Sequence, residues 1–152
     1  MVSVRSTIEI ARSPAHVYKV FTDFPKYHEW VQGSIKGVEI LTADGSISVG
    51  DKIKIAFPGM GSFSGEVAAN SPPTEFKWRN KWPGLLLAEH SFRFEPSQTT
   101  PGHTTFVNSE EFSGALTYLT YLTGSKHQGE SSPGFEMFNK SLKARAESLP
   151  EL

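Results

Sequence analysis

The sequence contains no cysteine among its 152 residues, which excludes disulfides, thiolate metal sites and a cysteine nucleophile. It carries no excess of either charge: 15 basic residues against 16 acidic ones leave a formal net charge of −1, without the basic stripe that nucleic-acid binding requires. Long apolar runs are missing. The longest, Gly84 to Ala88, falls far short of the roughly 20 residues of a membrane span. Met1 to Arg12 alternates polar with apolar residues and has no signal-peptide core. Short catalytic signatures are absent too. His16, His28, His90, His103 and His127 show no HExxH or other metal-ligand spacing, and there is neither a GxSxG elbow nor a P-loop. Gly59-Met60-Gly61 followed by Ser64 lacks the third glycine of a dinucleotide fingerprint and lies between strands. These absences predict a cytoplasmic protein with no metal, no cofactor, no nucleic-acid partner and no membrane span.

What is present is periodicity. With 38% apolar and 20% charged residues the composition is globular, and the length suits one domain over residues 1–152. Val2, Val4, Ser6, Ile8 and Ile10 alternate with polar residues, which predicts a half-buried strand. Ser13-Pro14 is a cap followed by a proline at the first helical position, and Val17, Val20 and Phe21 keep helical spacing to about Asp23. Pro25 opens a second short helical turn carrying Tyr27 and Trp30. Period two then returns in six successive segments: Ile35–Leu41, Asp51–Phe57, Ser62–Asn70, Thr74–Trp82, Leu86–Glu95 and Thr104–Phe112. Short Gly/Pro turns join most of them, the signature of an antiparallel meander. In Ser62–Asn70 the alternation puts Phe63, Gly65, Val67 and Ala69 on one face. After a Gly/Ser/Thr-rich stretch, Ser132-Pro133 opens a helix on which Phe135, Phe138, Leu142, Ala146 and Leu149 share a stripe. Asn139-Lys140-Ser141 fits a glycosylation pattern, but inside a helix it reads as coincidence.

About seven antiparallel strands and a single long helix make an α+β architecture. A twisted sheet with one dry face needs a cover. One helix does not close it completely, so a cavity between sheet and helix is the geometric expectation.

Three polar residues interrupt the apolar faces of the last two strands. His90, Asn108 and Glu110 sit among Leu86, Phe92, Phe94, Phe106 and Phe112, and pairing of these strands brings them together. A histidine–glutamate pair is a competent general acid/base. The trio therefore orients a ligand's polar group, performs proton transfer, or satisfies only itself. Aromatics crowd the same faces. Phe21 and Trp30 come from the first helical segments, Ile55 and Phe57 from the third strand. Trp78, Phe92, Phe106 and Phe112 come from the later strands, and Phe135 and Phe138 from the last helix. They line a ligand pocket or fill a core; periodicity does not separate the two.

The words at these places resemble the START-like (SRPBCC) superfamily, in its polyketide cyclase/dehydrase and lipid-transport branch. The resemblance is carried by Ser13-Pro14-Ala15-His16-Val17-Tyr18 with Phe24-Pro25-Lys26-Tyr27-His28-Glu29-Trp30, and by Val49-Gly50-Asp51 before alternating isoleucines. Glu89 to Pro96, Ser109 to Gly114, and Gly134 to Asn139 with Leu142 to Glu147 complete it. It implies a helix-grip fold whose curved sheet wraps the C-terminal helix around a hydrophobic cavity. It implies binding of a polyketide-, sterol- or lipid-like molecule, with Asn108 and the aromatic set as ligand-binding residues. The enzyme alternative is a cofactor-independent cyclase or dehydratase with Glu110 and His90 as acid/base residues. The family has no shared catalytic triad to transfer. A third class is a regulatory or protein-interaction module with a small or filled cavity. The protein is expected as a monomer or homodimer. Pro58 to Gly61 and Thr117 to Gly134 are candidate entrance elements.

Overall fold

A computed structural model describes residues 2–115, 117 and 132–152. Strand β1 (Val2–Ile10) is followed by helix α1 (Pro14–Thr22) and a 3-10 segment (Phe24–Glu29). Then come β2 (Gly37–Ile40), β3 (Lys52–Phe57), β4 (Gly61–Ser71), β5 (Glu75–Trp82), β6 (Leu86–Pro96), β7 (Thr104–Ser113) and helix α2 (Pro133–Ser148). The strands form one antiparallel sheet in the order β1-β7-β6-β5-β4-β3-β2. The α1 and 3-10 segments thus carry the chain from one edge of the sheet to the other, under the face that α2 also covers. This is the curved sheet around a C-terminal helix that the periodicity predicts.

Local chemistry explains the helices. Ser13 Oγ accepts from the backbone N–H of His16 at 3.3 Å, and Pro14 occupies the first turn. The C-terminal end of α2 has carbonyls without intrahelical partners, and Arg12 meets them. Its Nη2 donates to the carbonyl of Glu147 at 2.6 Å and its Nε to that of Leu149 at 3.1 Å. The other end of α2 rests on a glycine contact: the N–H of Ser34 donates to the carbonyl of Gly134 at 3.1 Å, and Gly33 beside it has a φ of +96°.

The core is aromatic. Phe21 has no exposed surface, and its ring meets seven others, those of Phe24, Tyr27, Phe76, Phe92, Phe94, Phe106 and Phe138, at centroid distances of 4.5–6.3 Å. The opposite face of the sheet is charged, as its alternation predicts, with Lys52–Glu66, Lys77–Glu75 and Arg79–Glu89 ion pairs across it.

One face assignment is corrected. The β4–β5 register shifts between Val67 and Ala69, so Ala69 pairs with the outward Lys77 and Asn70 with the buried Phe76. The extra residue of this β-bulge reverses the alternation. Ala69 leaves the face it shares with Val67 in a regular strand, and Asn70 turns inward instead. There it accepts from the Tyr18 hydroxyl and donates to the carbonyl of Ile47 at 3.1 Å. The second strand is also shorter than its pattern, Gly37–Ile40 rather than Ile35–Leu41.

Candidate functional site

Strands β6 and β7 pair as neighbours, and His90 lies directly opposite Glu110. His90 Nδ1 is 3.8 Å from Glu110 Oε2, and its Nε2 is 2.6 Å from Asn108 Oδ1. The imidazole is stacked between Phe92 on its own strand (centroids 4.3 Å, 18°) and Phe135 of α2 (5.0 Å, 22°), with the Trp78 ring 5.4 Å away. Burial holds the imidazole below its ordinary pKa, against the opposing influence of Glu110 and the bond to Asn108. It is therefore neutral at physiological pH, because a desolvated imidazolium is the costlier form. Glu110 is the outer member of the pair, its side chain 19% exposed.

Asn108 has no exposed surface, and both ends of its amide are committed. Oδ1 faces His90, and Nδ2 donates to Asn139 Oδ1 of α2 at 3.0 Å. Asn139 in turn donates from Nδ2 to Ser6 Oγ of β1 at 3.2 Å. Four elements thus contribute to one buried polar chain. Ser6 and Asn139 escape the sequence reading. Their signal is positional: Ser6 sits mid-way along the apolar face of β1, and Asn139 lies four residues after Phe135 and three before Leu142, on the buried stripe of α2. The asparagine of the apparent glycosylation pattern is this buried residue.

The remaining expected lining residues fall into two groups. Phe21, Ile55, Trp78, Phe92, Phe106 and Phe138 are fully or almost fully buried, in the closed part of the sheet–helix interface. Trp30, Phe57 and Phe112 are half-buried, and Phe135 is buried over His90. Phe63 joins Phe57 and Trp82 in a cluster, its ring 5.8 Å from that of Phe57 and 5.9 Å from that of Trp82, at the hairpin end of β3, β4 and β5. Beside it an open hollow of about 740 Å³ lies between Gly33–Ser34, the Phe57–Met60 turn and Pro133, Gly134 and Met137 of α2. His90 and Glu110 do not line this hollow; along β6 and β7 they lie between buried Phe92 and Asn108 on one side and half-buried Phe112 on the other. Within the Thr117 to Gly134 stretch, residues 118–131 lie outside the described residues.

The sequence model of the family described as polyketide cyclase / dehydrase and lipid transport matches residues 1–147. The chain belongs to this family. Solved structures with the same fold span the chain almost end to end. A START superfamily protein from Mycobacterium smegmatis is 22% identical, with a TM-score of 0.67 over 97% of this chain and 99% of that one. Norcoclaurine synthase from Thalictrum flavum, solved with dopamine and hydroxybenzaldehyde, is 11% identical, with a TM-score of 0.70 over 99% of this chain and 88% of that one. The Aha1 dimer from Colwellia psychrerythraea is 23% identical, with a TM-score of 0.61 over 97% of each chain. At these identities the likeness establishes the helix-grip fold alone. No curated protein matches the sequence. Among the described residues no helix is long and apolar enough to cross a membrane, and no cluster of three His, Asp or Glu residues is placed to hold a metal.

Proposed function

We propose that this member of the polyketide cyclase/dehydrase and lipid-transport family binds a hydrophobic small molecule of polyketide, sterol or lipid character between sheet and α2. The observation that carries the reading is the His90–Glu110 pair, set 3.8 Å apart on a concave face rich in aromatic rings, two of which stack on the imidazole. Half-buried Phe112, Trp82, Phe63 and Phe57 take the apolar body, and the pair meets its polar end. Asn108 acts through His90, since each end of its amide already has a buried protein partner. The protein does so as a single cytoplasmic domain, monomeric or homodimeric, without a cofactor.

Native mass spectrometry of the freshly purified protein, followed by organic extraction, tests this. The expected result is a co-purifying mass of a few hundred daltons, or an extracted-library hit, lost in Phe112→Asp. Absence of any bound or bindable hydrophobic molecule sinks the reading.

The neutral imidazole facing a carboxyl favours a second reading, cyclisation or dehydration by proton transfer in the same place. Norcoclaurine synthase supports it only in that this fold also houses an enzyme. If Glu110→Gln or His90→Ala abolishes turnover of a bound compound while its affinity survives, the enzyme reading replaces the carrier reading. If both variants merely weaken binding, the carrier stands.

A further inference from the structure

The buried polar chain has a direction. Asn139 Nδ2 donates to Ser6 Oγ, and Asn139 Oδ1 is the end that faces Asn108. Asn108 meets that carbonyl with its NH₂ group, which leaves its own Oδ1 for His90. A carbonyl oxygen only accepts, so the nitrogen it contacts at 2.6 Å, Nε2, carries the imidazole proton. In a neutral imidazole the other nitrogen is then bare. That nitrogen, Nδ1, looks toward Glu110 Oε2 across 3.8 Å, beyond hydrogen-bond range. Neither Nδ1 nor the Glu110 carboxyl has another hydrogen-bond partner among the described residues. Phe92 and Phe135 stack on the ring and hold its plane, so that Nε2 meets Asn108 while Nδ1 faces Glu110.

We propose that Ser6 and Asn139 are positioning residues that hold His90 with its proton on Nε2, so that Nδ1 and the Glu110 carboxyl form a twin acceptor for a ligand whose polar end is an N–H or O–H donor. A single donor atom sits about 2.8–3.0 Å from both acceptors without moving either. A ligand ending in a ketone, ester or ether presents a third acceptor to two others and is rejected, because a buried polar group without its complement costs more than the contact returns. The assignment of ligand class rests on the small-molecule reading above; the assignment of the proton does not.

Two measurements keep the parts separate. The first is nitrogen-15 NMR of histidine-labelled apo protein, with the His90 signals identified by their loss in His90→Gln. The expected pattern has the unprotonated nitrogen coupled to Hε1 alone, which marks it as Nδ1. Asn139→Leu mixes or reverses the tautomers, whereas Asn139→Asp, which keeps an acceptor toward Asn108, preserves the wild-type pattern. If Asn139→Leu fails to fold, Ser6→Ala serves as the milder break in the chain. A proton found on Nδ1 in the wild type overturns the proposal, and so does a tautomer indifferent to every one of these changes.

The second is calorimetric binding of 2-naphthol against 2-methoxynaphthalene, which differ by the donor. Naphthol binds at least tenfold more tightly to the wild type, and Glu110→Leu brings the ratio close to one. Equal binding to the wild type overturns the ligand class. Failure of both probes together with a clean apo mass and no library hit, with the tautomer as expected, overturns the small-molecule reading and leaves the positioning role standing.

Discussion

A Cβ built on Gly33 lies 2.4 Å from the carbonyl oxygen of Gly134 and 2.7 Å from the backbone nitrogen of Phe138. The loop before β2 and the first two turns of α2 are therefore in close contact, and the two nearest atoms are backbone, which does not yield as a flexible side chain does. Gly33 also has a φ of +96°, where other residues are strained. Gly33→Ala is expected to cost 2 kcal/mol or more, on the order of an overpacked core site. Gly37→Ala meets nothing within 4 Å and costs well under 1 kcal/mol. Urea unfolding of the two variants checks the contrast.

Phe21 and Phe63 separate core from candidate ligand surface. Phe21→Ala removes the ring that seven others surround and is expected to cost about 3–5 kcal/mol. Phe63 is half-buried, and its ring meets those of Phe57 and Trp82. Its removal costs less than half as much and weakens hydrophobic-probe binding. Thermal unfolding together with probe titration decides; a Phe63 variant with unchanged affinity removes the rim from the proposed site.

His90 makes stability depend on pH with a definite sign. The groups facing it are Glu110 and Asn108 from β7, with Phe92, Trp78 and Phe135 completing its surroundings. Burial lowers its folded pKa below the ordinary 6.5, so in the window just below 6.5 the unfolded chain takes up a proton that the folded one refuses. Stability is fully present above 6.5 and falls as the pH drops toward the folded value. Glu9, Glu29, Glu147 and Glu151 are held below 4.5 in the folded protein and give up their contributions only at lower pH. Denaturant unfolding at pH 7.5 and 5.5 is expected to show a larger loss for the wild type than for His90→Gln. Equal slopes count against a neutral buried imidazole.

The bulge in β4 is tested through Asn70. The register shift turns this side chain inward to the Tyr18 hydroxyl and the Ile47 carbonyl. Asn70→Ala leaves partly buried groups without partners, at a cost of about 1–3 kcal/mol. Tyr18→Phe in the same background adds little, because the shared bond is already gone. Additive losses in the double-mutant cycle argue that the two side chains do not act together.

The sequence by itself determines the order and kind of the elements. Alternation of period two and the helical stripe after Ser132-Pro133 are local properties, set where each side chain must face to leave water, and they return as β1–β7 and α2. The same alternation put His90, Asn108 and Glu110 on inward faces. Tertiary structure decided the rest. A single extra residue in β4 reverses the faces beyond Val67, and composition carries no mark of it, since Ala68 and Ala69 are identical in chemistry. Ser6 and Asn139 are 133 positions apart and meet only because β1 closes one edge of the sheet beneath α2. That meeting gives the amide of Asn108 its partner on α2. A hydrogen-bond chain is a property of where atoms converge, and convergence across such separations is not encoded in any local period of the sequence.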